Sequence, residues 1–170
     1  MRSQGYKPSH LIEKEGELSL SETTLVELLQ EVLSKGAPFR FRAKGFSMYP
    51  FIKDGDVITV SPLRRTSLSL GDVVAFIPPR TEKLTIHRVI GKKGNSCLIR
   101  GDNTSQNDGL IHETNILGYV TRVERDGKKV SLGLGLERFI IAFLTRRGLL
   151  SPFLLPVWKL IRPLIRRWVR

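Results

Sequence analysis

Residues able to form a hydrolytic relay occur in the chain order Ser, His, Asp. Ser47 lies in Gly45-Phe-Ser-Met-Tyr-Pro-Phe-Ile-Lys-Asp-Gly-Asp56. Pro50 bars Tyr49 from continuing a helix, so Ser47 is expected at a bend rather than in a regular ladder. Asp54-Gly55-Asp56 then turns the chain into the next segment. A lone serine in a turn is ordinarily a turn serine and nothing more. His87, in Ile86-His-Arg-Val89, sits between apolar neighbours in a predicted strand, where a histidine is ordinarily structural. The polar loop Arg100-Gly-Asp-Asn-Thr-Ser-Gln-Asn-Asp108 carries two carboxylates, Asp102 and Asp108, each of which alone would hydrogen-bond nearby amides. Taken together, these residues supply a nucleophile weak at its own pKa, a base near neutrality and a carboxylate to hold the tautomer of that base.

Other chemistry is poorly served. His10 and His112 have no flanking ligands at metal spacing, so no metal site is expected. The single cysteine, Cys97, excludes an internal disulfide and a Cys-based zinc site, and its strand context makes it a packed residue. The glycine-rich stretch around Gly133 and Gly135 lacks the strand–turn–helix frame of a phosphate cradle and reads as a flexible joint before the basic tail. No cofactor is expected.

The elements that must position the relay fall into three zones. Residues 1–38 comprise a polar N-terminus, expected to be loosely ordered to about residue 18, and one short amphipathic helix. Ser19-Leu-Ser-Glu22 has capping-box spacing ahead of Leu25, Leu28, Leu29, Val32 and Leu33, and Gly36 with Pro38 supplies the stop. Residues 39–132 read as short strands: Phe39–Arg42, Asp56–Val60, Asp72–Ile77, Leu84–Ile90, Ser96–Ile99, Ile116–Glu124 and Lys129–Leu132, with hairpin signals at Lys92–Asn95 and Asp126-Gly127. Close spacing and turn chemistry predict a mainly β, barrel-type or sandwich domain. Residues 133–170 form a basic tail. From Glu137 on it holds eight basic residues and one acidic one, interleaved with Phe, Leu, Ile and Trp at helical spacing. That pattern fits an in-plane helix on an anionic membrane surface. The plainer reading is a helix packed on the β-domain, and nucleic acid is the weaker third claimant.

Composition agrees with one compact domain plus appendages: 170 residues, 41% hydrophobic, 26% charged, and a formal charge of +12 that calls for an anionic partner. Residues 1–20 contain no apolar run of the secretory kind. The longest uncharged stretch near either end, Gly148–Trp158, is too short to cross a bilayer and holds two prolines.

The segments Gly-Phe-Ser-Met-Tyr-Pro with Lys-Asp-Gly-Asp, Gly71-Asp-Val-Val-Ala-Phe, Ile-His-Arg-Val and Gly-Asp-Asn with a later Asp resemble the successive boxes of type I signal peptidases over about residues 40–123. The same clan includes the self-cleaving proteins LexA and UmuD. Bacterial signal peptidases and LexA pair their serine with a lysine; His87 makes this chain similar to the endoplasmic-reticulum and archaeal branch, which uses histidine. The resemblance implies Ser47 as nucleophile, His87 as general base, Asp108 orienting the histidine, and Asp102 supporting it or holding the loop. It also implies a β-rich fold with a groove in which a peptide adds as a strand, small side chains being preferred at the third and first positions before the cut. The turn residues Gly45, Phe46, Met48 and Pro50 are expected to face that peptide. Some relatives carry a serine two residues before the nucleophile that helps hold the oxyanion; Gly45 stands there, leaving backbone N–H groups to do that work.

The expected function is therefore a serine endopeptidase acting on a leader- or signal-like peptide. Relatives have an N-terminal membrane helix, whereas this chain offers only the surface-binding segment 137–170, so the expected location is cytoplasmic, on the inner membrane face. The alternatives are a non-catalytic β-domain that binds membrane or nucleic acid, and a LexA- or UmuD-like regulator that cuts itself. Such regulators cleave at Ala-Gly or Cys-Gly, and neither dipeptide occurs in the sequence.

Overall fold

A computed structural model describes residues 11–14, 17–63, 68–79, 81 and 83–150; for 11–20 it describes the backbone only. The expectations for His10 and for the tail from Ser151 on lie outside these residues. The first described element is a hairpin, β1 (Leu11–Lys14) against β2 (Glu17–Leu20), within the stretch to about residue 18 expected to be loosely ordered. Because Ser19 is in that strand, the helix cap falls two residues later. Ser21 accepts from the backbone N–H of Thr24 at 3.2 Å and starts α1 (Glu22–Ser34).

The main sheet holds β3 (Phe39–Arg42), β4 (Val57–Pro62), β5 (Val73–Phe76), β6 (Thr85–Lys93), β7 (Ser96–Arg100), β8 (Gly109–His112), β9 (Ile116–Arg125) and the two-residue β10 (Lys128–Lys129). It is antiparallel, in the order β3-β4-β9-β5-β6-β7-β8, with β10 on β9. The expectation of a barrel requires one correction: the sheet is open, with β3 and β8 at its edges. Leu29 and Leu33 of α1 cover the face of the β3 side, packing with Ile58, Val60, Val120 and Val123. A helix laid over a sheet protects apolar surface that closure would otherwise hide. At the hairpin turn between β9 and β10, Asp126 and Gly127 both take positive φ, the backbone that an Asp-Gly pair favours.

The centre of the sheet explains how the site is held. All four residues of β5 are buried, Val73 and Ala75 on the α1 side, Val74 and Phe76 on the other with Val89, Cys97, Ile99 and Ile111. Burial pushes the Cys97 thiol up, in keeping with a packed rather than reactive side chain.

The second helix, α2 (Arg138–Arg147), packs on β6. Ile141, Ala142 and Thr145 are buried, so on its inner face this part of the basic segment packs on the β-domain, the plainest of the three sequence readings. Its outer face leaves Ile140, Phe143 and Phe139 exposed, next to Leu136, which is 85% exposed. Among the described residues no helix is long and apolar enough to cross a membrane.

Candidate active site

The Ser47 turn is tied down from several directions. Gly45 N–H donates to Asp54 Oδ1 at 2.8 Å, and Asp56 accepts from Lys53 N–H and from the fork of Arg125 on β9 at 2.8 and 2.7 Å. The chain then drops into the core: Met48 is 4% exposed and Pro50, reached through a cis peptide bond, is buried. Met48 and Pro50, expected from sequence to face a peptide, are thus buried side chains in this structure. They pack beneath the turn because its exposed side is taken by Gly45, Phe46 and, in part, Ser47. Gly45 has φ +92°, a backbone that a serine at this position could adopt only with strain. Among the described residues the Ser47 backbone N–H has no hydrogen-bond acceptor, which leaves it available to an oxyanion.

His87 stands on β6 beside the ring of Phe76, 6.3 Å between centroids. Its Nδ1 meets Asp108 Oδ2 at 2.7 Å. An ionised carboxylate only accepts, so Nδ1 carries the proton in this bond, and in the neutral imidazole Nε2 is the nitrogen with the lone pair. That nitrogen points towards the serine turn. A Cβ placed on Gly101 would stand 2.8 Å from His87 Nε2 and 2.8 Å from the Ser47 carbonyl oxygen, so both atoms border one small space that glycine keeps open. No hydrogen bond joins Ser47 Oγ to His87 in this structure, and such bonds often tighten only around substrate.

Asp108 and Asp102 separate in space despite their shared loop. No hydrogen bond joins Asp102 to His87; Asp102 pairs with Arg88, the next residue on β6, through Nε at 2.8 Å and Nη2 at 2.7 Å, both side chains fully buried. The reason is strand geometry, since neighbouring residues point to opposite faces. Of the two roles the sequence left to Asp102, the contacts are those of a loop holder. Arg88 also donates from Nη1 to the carbonyls of Gly71 and Gly133, and Thr145 of α2 donates to Asp102 Oδ1 at 3.1 Å. Asn103 ties the loop to the serine turn, its N–H donating to Ser47 O at 2.7 Å and its side-chain amide to Phe46 O at 3.2 Å.

Arg88, Gly101, Asn103 and Thr145 were not singled out from sequence. Arg88 left a signal, an arginine inside an otherwise apolar strand, because a charge at a core position must be paired. Thr145 left none, since its partner is distant in the chain.

Ser47 and His87 also share a groove of about 440 Å3. Leu25, Phe41, Ala43, Leu84 and Ile86 give it apolar lining, with Glu22, Lys44 and Lys83 among its charged residues. It is bordered by β3, an edge strand, and by the start of β6, whose pairing with β7 begins only at Arg88. Apart from Ser47, no residue of the turn Gly45–Pro50 lines it, so the expected peptide contacts of Gly45 and Phe46 are not part of this groove. Among the described residues, no group of His, Cys, Asp and Glu could hold a metal ion.

A serine turn, a histidine backed by a carboxylate and an open groove on a β-sheet together define a serine-peptidase-like centre. The model of the Peptidase S24-like family matches residues 4–121, well over half of the chain, and the protein belongs to that family, within the clan that also holds LexA, UmuD and the signal peptidases. Its function is serine-peptidase-like in the broad sense. A search of curated proteins found no match.

Proposed function

We propose that the protein is a serine endopeptidase that resembles signal peptidase I in its chemistry and cleaves leader- or signal-like peptides at a membrane surface. The observation that carries this reading is the 2.7 Å bond from His87 Nδ1 to Asp108, with Nε2 turned to the space shared with Ser47. His87 takes the Ser47 proton as Oγ attacks the peptide carbonyl; the oxyanion is held by backbone N–H groups, that of Ser47 among them. The same imidazole returns its proton to the leaving amine, and water then releases the acyl group by the reverse path. An extended peptide suits a groove bordered by unpaired strand edges, which offer main-chain hydrogen bonds.

The membrane part of the reading rests on α2. Its exposed Phe139, Ile140 and Phe143 lie beside Arg146 and Arg147, and the sequence beyond adds further Arg with Trp. An anionic, inner-leaflet surface is the partner this chemistry suits, with the active site on the cytoplasmic side.

Membership of the Peptidase S24-like family favours a second reading, a regulator that cuts itself in the manner of LexA or UmuD. The absence of Ala-Gly and Cys-Gly dipeptides and the histidine at position 87 weigh against it.

The test is cleavage of fluorogenic peptides bearing Ala-x-Ala before the cut, by the full chain on vesicles of phosphatidylglycerol and phosphatidylcholine. Cleavage in trans that vanishes in Ser47→Ala supports the endopeptidase. Peptides left intact while the chain itself shortens, in a Ser47-dependent way, would replace this reading with the self-cleaving one. Absence of both reactions would overturn the enzyme.

A further inference from the structure

The family match ends at residue 121, yet a helix beyond it reaches under the active site. A threonine within a helix can satisfy its hydroxyl locally, on the carbonyl one turn back. Thr145, 1% exposed, instead donates to Asp102 Oδ1, giving that carboxylate a third hydrogen bond beside the two from Arg88. Asp102 sits in the loop from Gly101 to Asp108 that does three things for the site. Gly101 keeps the space between Ser47 and His87 clear, Asn103 holds the Ser47 carbonyl, and Asp108 orients the imidazole.

The helix is braced for this task at its other end too. Arg138 pairs with Asp72 at 2.9 Å, and the Arg138 carbonyl lies so close to Gly71 that a Cβ there would meet it at 2.7 Å. Gly71 and Gly133 in turn supply the carbonyls that bind Arg88. Glu137, just before α2, accepts from the N–H groups of Gly133 and Gly135 at 2.7 and 3.0 Å. One buried network thus joins α2, the strand that carries His87 and the loop that carries Asp108.

We infer that α2 is a positioning element of the active site and that Thr145 is its positioning residue, acting on the Ser47–His87–Asp108 geometry through Asp102. This rests on the peptidase reading above. Thr145 touches neither substrate nor the reacting atoms; it fixes the loop that does. A small displacement of positioned groups costs up to about 100-fold in rate, so the effect belongs in kcat rather than in KM.

Thr145→Val keeps the shape and removes the hydroxyl; Thr145→Ser keeps the hydroxyl. The measurement is the rate of Ser47 acylation by a peptidyl phosphonate, with kcat and KM on a cleaved peptide, for the full chain and both variants. Expected is a fall of about 10- to 100-fold in acylation rate and kcat for Thr145→Val at unchanged KM, with Thr145→Ser close to the parent. The proton NMR resonance of the His87 Nδ1–H is expected to shift or broaden in Thr145→Val and to stay in Thr145→Ser. Parent-like rates and resonance in Thr145→Val would overturn the inference while leaving the peptidase standing. Should Thr145→Val not fold, Thr145→Ala, which also removes the hydroxyl, is read by the same two measurements, and parent-like rates and resonance there overturn the inference. A parent chain that is never acylated fails the peptidase reading itself, a distinguishable result.

Discussion

His87 and Arg88 are consecutive on β6, and each is hydrogen-bonded to an aspartate of the same loop, Asp108 and Asp102. In the first pair His87 lines the groove and Asp108 is partly open to solvent, and one imidazole nitrogen is left uncommitted. The second lies in the interior, fully buried, with the carboxylate taken up by Arg88 and Thr145 and the guanidinium by two backbone carbonyls as well. One strand thus serves both chemistry and architecture. A relay needs a polar atom left free to act, whereas a buried ion pair is tolerable only when its polar atoms are satisfied.

The largest losses are expected on the groove face. Ser47→Ala is expected to remove peptidase activity, by about 10⁴-fold or more, and Asp108→Asn to cost about 10⁴-fold through the wrong imidazole tautomer, both with little change in melting temperature. Equal activity in Asp108→Asn and the parent would show that the pair is structural after all. On the inner face the sign of the experiment reverses. Asp102→Ala leaves the Arg88 charge buried without its partner, and denaturant unfolding is expected to report a loss of about 3–5 kcal/mol.

Gly101→Ala lies between the two faces. Its new methyl would press on His87 Nε2, the Ser47 carbonyl and Thr104, so a loss of activity is expected together with about 1–3 kcal/mol of stability. Unaltered turnover would mean that the space is not the meeting point of serine and histidine.

The smallest effect concerns Glu137. Burial alone would raise its pKa, but hydrogen bonds from the backbone N–H of Gly133, of Glu137 itself and of Gly135, with the Arg88 charge, outweigh it and hold the carboxyl below its usual value. A lowered carboxyl pKa stabilises the fold above the unfolded-state value, about 4.3 for Glu. That contribution is lost as pH falls through the folded value. Melting curves between neutral and acid pH should therefore show a slightly smaller acid loss in Glu137→Gln than in the parent, and an identical pH dependence would remove Glu137 as a contributor.

Much of this was legible in the sequence because it is local. Alternation gave the main strands near their observed bounds and Asp126-Gly127 gave a turn; of the residues in the order Ser47, His87, Asp108, the first two border one space and the third is hydrogen-bonded to His87. What was missed depends on pairing across the chain. Strand β8 is only four residues long, with an exposed leucine at Leu110, and it exists because β7 offers it an edge. The Asp102 contacts followed from the alternating faces of β6, which place Arg88 towards α2. The basic segment suggested a surface helix, but charge and periodicity could not say that Ile141, Ala142 and Thr145 would be spent on the β-domain.

The most direct measurement is mass-spectrometric mapping of covalent labelling by a serine-reactive peptidyl phosphonate, on the full chain with anionic vesicles, beside Ser47→Ala, His87→Ala and Asp102→Asn. Expected are a single adduct on Ser47 in the parent, none in Ser47→Ala or His87→Ala, and, in the folded fraction of Asp102→Asn, an adduct on Ser47 that forms more slowly than in the parent. Labelling that persists undiminished in His87→Ala, or that falls on a different serine, would contradict an activated Ser47 and with it the division of β6 into a working face and a holding face.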